Sequence, residues 1–153
     1  MRRCLDGRDS LSGLRGPIVL DQRHARGRLR DGASWAVLEE MRRGQFRLTA
    51  SPALFLEYEE VLKREEHGLW ADQVENFLSE LATLIEPVQI RTTWRPQMID
   101  ADDEMVLDAA INGHVDAIVT HNRRDFEAAS RRFGIAVWSP AELLLNLRRK
   151  GAD

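Results

Sequence analysis

The chain has 153 residues, a net charge of −3 and a hydrophobic fraction of 43 %, which fits one soluble globular domain with a core of its own. The apolar runs fall far short of a bilayer span, the single cysteine, Cys4, excludes an intramolecular disulfide and a thiolate metal cluster, and net acidity argues against nonspecific coating of nucleic acid. Charges fill the stretch from Met1 to Asp9 where a secretory signal needs apolar residues, so a cytoplasmic location without membrane attachment is expected.

In chain order, residues 18–20 read as a short buried strand ending at Asp21. A helix capped by Ser34 runs to Arg43 and stops at Gly44, and residues 46–49 alternate as a second strand. Ser51-Pro52 places an N-cap and a first-turn proline in their favoured order, starting a helix through Leu62. An amphipathic helix over 71–84 and an extended piece over 86–90 follow. The helix that contains Asp103 is closed by Gly113 in the C′ position, residues 117–120 form a strand, and residues up to Asp125 form a turn. Then come a helix over 126–133, a strand over 136–138, and a last helix over 141–149 started by Ser139-Pro140. The long loops are expected over 67–70 and 92–98, with Trp70 and Trp94 packed beneath them rather than stacking on bases. Strands alternating with helices imply a central parallel sheet covered on both faces, a three-layer α/β/α domain over 17–150 preceded by a loose extension over 1–16.

One helix carries a carboxylate where an apolar residue belongs. On a helical wheel, Val106, Leu107 and Ala110 fall within about 60° of Asp103, whereas Glu104 and Asp108 point away and are expected to face solvent. A carboxylate on the core stripe is costly to desolvate unless paired, hydrogen-bonded or bound to a cation; the plain alternative is a helix N-cap. Asp21 stands at the carboxyl end of the first strand, Glu57 flanks the stripe of Leu54, Tyr58 and Val61, and Asp125 follows the later strand. Gathered at one edge of the sheet, four such acids would repel unless a divalent cation joined them, and an all-oxygen set suits Mg²⁺ or Mn²⁺. Phosphodiester hydrolysis is the chemistry such an ion supports. Arg123 and Arg124 lie near enough in sequence to contact phosphate, whereas Arg42, Arg43 and the run from Arg148 to Lys150 read as solvated faces. No histidine pair has zinc-ligand spacing, and neither a Gly-x-Ser-x-Gly elbow nor a phosphate-cradling glycine loop is present.

Val19-Leu20-Asp21, the run Leu-Thr-Ala-Ser-Pro-Ala-Leu-Phe-Leu-Glu-Tyr-Glu-Glu-Val-Leu from Leu48, Asp-Asp-Glu-Met-Val-Leu-Asp-Ala-Ala from Asp102, Ala-Ile-Val-Thr-His-Asn-Arg-Arg-Asp-Phe from Ala117, and Phe-Gly-Ile-Ala-Val-Trp-Ser-Pro from Phe133 together resemble the PIN-domain family. More narrowly, they resemble its branch of toxin components in bacterial type II toxin–antitoxin systems. The resemblance implies an Mg²⁺- or Mn²⁺-dependent endoribonuclease in which Asp21, Glu57 and Asp103 hold the metal. Asp125 joins the metal set, and Thr120, Asn122, Arg123 and Arg124 support it or bind substrate. It further implies an RNA substrate, a cognate antitoxin and a homodimer.

The chain departs from that pattern after Asp21. The family continues Thr-Asn and then an apolar helix, whereas here Gln22-Arg23 opens an arginine-rich stretch over 22–30 with almost no apolar residue. A local reading-frame slip would explain the preserved length and altered polarity. The alternative function is therefore a catalytically impaired PIN-fold protein that binds an antitoxin or RNA without turnover.

Overall fold

The computed structural model describes residues 17–21, 33–63 and 71–152. The extension over 1–16, the arginine-rich stretch 22–30 and the loop expected over 67–70 lie outside the described residues. Five short strands, β1 (Ile18–Leu20), β2 (Leu48–Ala50), β3 (Ile85–Pro87), β4 (Ala117–Val119) and β5 (Ala136–Trp138), form one sheet in the order β3-β2-β1-β4-β5. Every pairing is parallel. The helices are α1 (Ala33–Arg42), α2 (Pro52–Leu62), α3 (Ala71–Leu84), α4 (Ala101–Asn112), α5 (Arg123–Phe133) and α6 (Pro140–Ala152). α1 packs with α6, while α4 lies against β1, β2 and β4 and beside α2, completing a three-layer α/β/α domain.

The sequence dictates this layering. Each residue of β1, β2 and β4 is buried, as strands covered on both faces must be. β3 is less buried and carries Pro87, which lacks an amide donor and suits a sheet edge. Ser51 caps α2 by accepting the Leu54 N–H at 3.1 Å, with Pro52 in the first turn. Ser139 caps α6 reciprocally: its Oγ accepts the Glu142 N–H at 3.2 Å and its own N–H donates to Glu142 Oε1 at 3.3 Å.

Several boundaries move. α1 begins at Ala33, so Ser34 lies within it rather than capping it. The second strand sits at Leu48–Ala50, not 46–49, and the extended piece pairs only over Ile85–Pro87. Gly113, placed at the C′ position, where the left-handed backbone is common, has φ −85° instead; the left-handed residue is His114, with φ 49°. Glycine is required at 113 for space instead, because a Cβ there would lie 2.8 Å from both Ala109 O and Thr49 Cγ2. Gly44 does hold the left-handed conformation after α1, with φ 73°.

The largest correction concerns α4. Glu104 and Asp108 are not solvent-facing: they are 5 % and 4 % exposed. The wheel placed them correctly relative to Asp103, but the chain ahead of the helix folds back over their side. Gln97 and Met98 donate backbone N–H bonds to Glu104 Oε1 at 2.6 and 2.8 Å, and Arg95 grips Asp108 Oδ2 through Nε and Nη2 at 3.0 and 2.7 Å. One turn further, Asn112 Oδ1 accepts the N–H groups of Arg91 and Thr92, and its amide donates to Thr92 O at 2.8 Å. Glu104, Asp108 and Asn112 thus form a polar row at i, i+4 and i+8 that straps the irregular segment to the helix.

Candidate active site

The carboxyl ends of all five parallel strands share one edge of the sheet. After β1 the chain moves outward through β2 to β3, then returns past β1 to β4, so the direction reverses between β1 and β4. Ligands of open α/β sheets bind outside the strand ends at such a reversal. Asp21 and Thr120 occupy the first positions beyond β1 and β4, and both are wholly buried. Hydrogen bonds to the neighbouring strands fix both backbones: Asp21 N–H donates to Val119 O and Thr120 N–H to Trp138 O, each at 2.9 Å. Thr120 Oγ1 donates to Asp21 Oδ2 at 2.8 Å and itself accepts the Asn122 N–H at 3.0 Å. One hydroxyl therefore bridges the reversal point and shapes the turn that follows.

From α2, Tyr58 donates its hydroxyl to Leu20 O at 2.5 Å, which brings that helix against the end of β1. Burial pushes the Tyr58 phenol far above its ordinary value, and the Asp21 charge pushes the same way. Glu57, the preceding residue, is half-buried beside it. From α4, Asp103 is 1 % exposed in the first helical turn. It is not the cap; Asp100 is, accepting the Asp102 N–H at 2.9 Å. The inward orientation read from the sequence is thus correct, and capping does not account for it.

The residues after β4 are arranged differently from expectation. The turn contains only His121 and Asn122, and α5 starts at Arg123, so Asp125 lies in a first helical turn rather than in a loop. Thr120 Oγ1 causes this shortening by capturing the Asn122 amide. Asn122, Arg124 and Asp125 are exposed. Arg123, read as a phosphate contact, pairs with Glu142 on α6 at 2.7 Å, whereas Arg124 makes no ion pair among the described residues. Sequence reasoning did not assign Tyr58 a part in the site. Its signal was a phenol on the buried stripe of α2, where a hydroxyl needs a partner.

No three acidic, histidine or cysteine side chains are gathered closely enough to hold a metal among the described residues. Asp21 at the reversal point and Asp103 in the first turn of α4 nevertheless each supply a buried carboxylate, a hard oxygen donor. Mg²⁺ is commonly bound through one or two carboxylates, with waters and substrate phosphate completing its shell. Asp21 and Asp103 fit that mode.

No helix among the described residues is long and apolar enough to cross a membrane. No curated protein sequence matches the chain significantly. A model of the PIN domain, a metal-dependent nuclease fold, matches residues 18–124. That match covers well over half of the chain and includes β1 to β4 and the helices that carry Glu57 and Asp103, so the chain belongs to the PIN-domain family.

Proposed function

We propose that the chain is a metal-dependent endoribonuclease, the toxin component of a toxin–antitoxin system, hydrolysing phosphodiester bonds of single-stranded RNA in the cytoplasm. The observation that carries the reading is the wholly buried Asp21 beyond the central strand, bonded across the sheet reversal to Thr120. Asp21, Glu57 and Asp103 would hold Mg²⁺ or Mn²⁺, with Asp125 and Asn122 completing or orienting the set. A bound divalent cation polarises the phosphodiester and lowers the pKa of water. The chain's own part is orientation: Thr120 fixes the Asp21 carboxylate, Tyr58 anchors the end of β1, and Arg124 offers an exposed cation to phosphate. A cognate antitoxin covering this edge and a homodimer complete the reading.

Gln22-Arg23, standing where the family continues Thr-Asn, favours a second reading, binding of antitoxin or RNA without turnover. One experiment separates them. Purified protein is incubated with single-stranded RNA in Mn²⁺ or in excess EDTA, beside the Asp21→Asn variant. Cleavage that requires Mn²⁺ and Asp21 supports the ribonuclease; cleavage that persists in EDTA refutes the metal assignment. Binding without any cleavage supports the second reading.

A further inference from the structure

A groove of about 590 Å³ lies beside the edge strand, away from the acids, between the chain leaving β3 and the carboxyl end of α4. Its lining includes Arg91, Thr92, Trp94, Ile111, Asn112 and His114, and no acidic residue. The frame is rigid where Asn112 fastens Arg91 and Thr92 to α4. Trp94, expected from the sequence to lie packed beneath its loop, leans its ring on Phe133 with centroids 6.1 Å apart but stays 48 % exposed. Among the described residues, the Arg91 guanidinium, Trp94 indole N–H and His114 imidazole make no hydrogen bond or ion pair. His114 is held with φ 49°, a conformation uncommon outside glycine, and such outliers gather at ligand sites.

A fixed backbone presenting an exposed aromatic face, a free cation and an imidazole is the chemistry that binds single-stranded nucleic acid: bases stack on the ring and phosphates meet the guanidinium. We propose that this groove is an accessory site for single-stranded RNA, seating a nucleotide distant from the scissile phosphate, its base on Trp94 and its phosphate on Arg91 and His114. Its volume lies in the range of small-ligand pockets and admits a single nucleotide unit. β3 stands two strands from β1, roughly 10 Å at ordinary strand spacing, and α4 is about 18 Å long at 1.5 Å per residue. The groove is therefore displaced along the sheet from Asp21, and none of the site acids lines it. The inference rests on the ribonuclease reading for its choice of ligand.

Binding of a short fluorescein-labelled single-stranded RNA to the full chain is measured in excess EDTA, which removes cleavage from the readout. Trp94→Ala should weaken affinity about tenfold, while Trp94→Phe, which keeps an aromatic face, should stay near the parent. Arg91→Gln should lower the slope of log Kd against log salt by about 0.7, the contribution of one phosphate contact to a single strand. Arg148→Gln, an exposed cation on α6, should leave that slope at the groove unchanged. Equal affinity and slope in the parent, Trp94→Ala and Arg91→Gln would overturn the proposal, as would a parent that binds no RNA. Displacement of RNA by an acidic peptide through the same two residues would reassign the groove to a protein partner. Mn²⁺-dependent cleavage by the parent, assayed separately, decides the ribonuclease reading whatever the groove does.

Discussion

Asp103→Asn is the perturbation that most directly tests whether the inward-facing acid of α4 serves a cation. A ligand present at 100 times its Kd stabilises the folded state by about 2.7 kcal/mol. For a domain of this size each kcal/mol shifts the melting temperature by about 2–4 °C, so saturating Mn²⁺ should raise that of the parent by about 5–11 °C. Loss of a ligand that weakens metal binding about 100-fold, the upper end of what even indirect partners contribute, leaves RT ln 2, or about 0.4 kcal/mol, at the same Mn²⁺ concentration. The shift should then shrink to about 1 °C. Asp102→Asn is the matched control, because Asp102 shares the first turn of α4 but is exposed. Both variants remove a charge from a helix start, which costs about 0.3–1 kcal/mol and cancels in the comparison. Thermal melts of parent and both variants, with and without Mn²⁺, supply the measurement. A Mn²⁺ shift of equal size in the parent and Asp103→Asn would refute the assignment and leave Asp103 a structural residue.

Asp108 is unsuitable as a neutral control: Asp108→Ala should destabilise by about 1–3 kcal/mol by releasing Arg95, and a double-mutant cycle with Arg95→Ala should recover much of that loss as coupling. Additive single effects would deny the pair its role in holding the segment. Tyr58 is the only tyrosine in the chain, so phenolate absorbance reports it alone. Because burial raises its folded pKa above the ordinary 10.0, it supports stability fully below pH about 10, and that support is lost as pH climbs above it while the folded phenol stays protonated. The parent should therefore lose stability above pH 10 more steeply than Tyr58→Phe; matching slopes would sink the argument. At neutral pH Tyr58→Phe should cost about 1–3 kcal/mol by leaving the buried Leu20 carbonyl without its donor, read as a fall in denaturation midpoint. Gly113→Ala should destabilise by about 1–3 kcal/mol through overpacking against Thr49. Gly44→Ala meets open space and should cost only about 1–2 kcal/mol of backbone strain, so a larger loss at 44 than at 113 in urea denaturation would reverse the argument.

The elements that fill the core were legible because their signals are local. Apolar runs marked β1 and β4, and Ser-Pro pairs marked the starts of α2 and α6. The inward orientation of Asp103 followed from helical period alone. Glu104 and Asp108 could not be read in the same way: a helical wheel reports angle, while burial of the second face depends on where a distant loop returns. Gly113 was misread because two physical demands, positive φ and close approach, select the same residue. Asp125 was placed in a loop because nothing in the sequence states that the Thr120 hydroxyl will capture the Asn122 amide. The likeness to PIN domains was legible over most of the chain, and the matched span of 18–124 agrees with it.

The polar row on α4 has a consequence for tolerance to change. Glu104, Asp108 and Asn112 engage residues 97–98, 95 and 91–92 in reverse order, so segment and helix run side by side like teeth of one pitch. A residue inserted in either partner displaces every later pair at once, and no single side chain can restore the match. The stretch 91–98 contains neither helix nor strand, yet its length is as constrained as that of a central strand. Its amides at 91, 92, 97 and 98 should exchange with solvent slowly and together with those of α4, marking the pair as one cooperative unit.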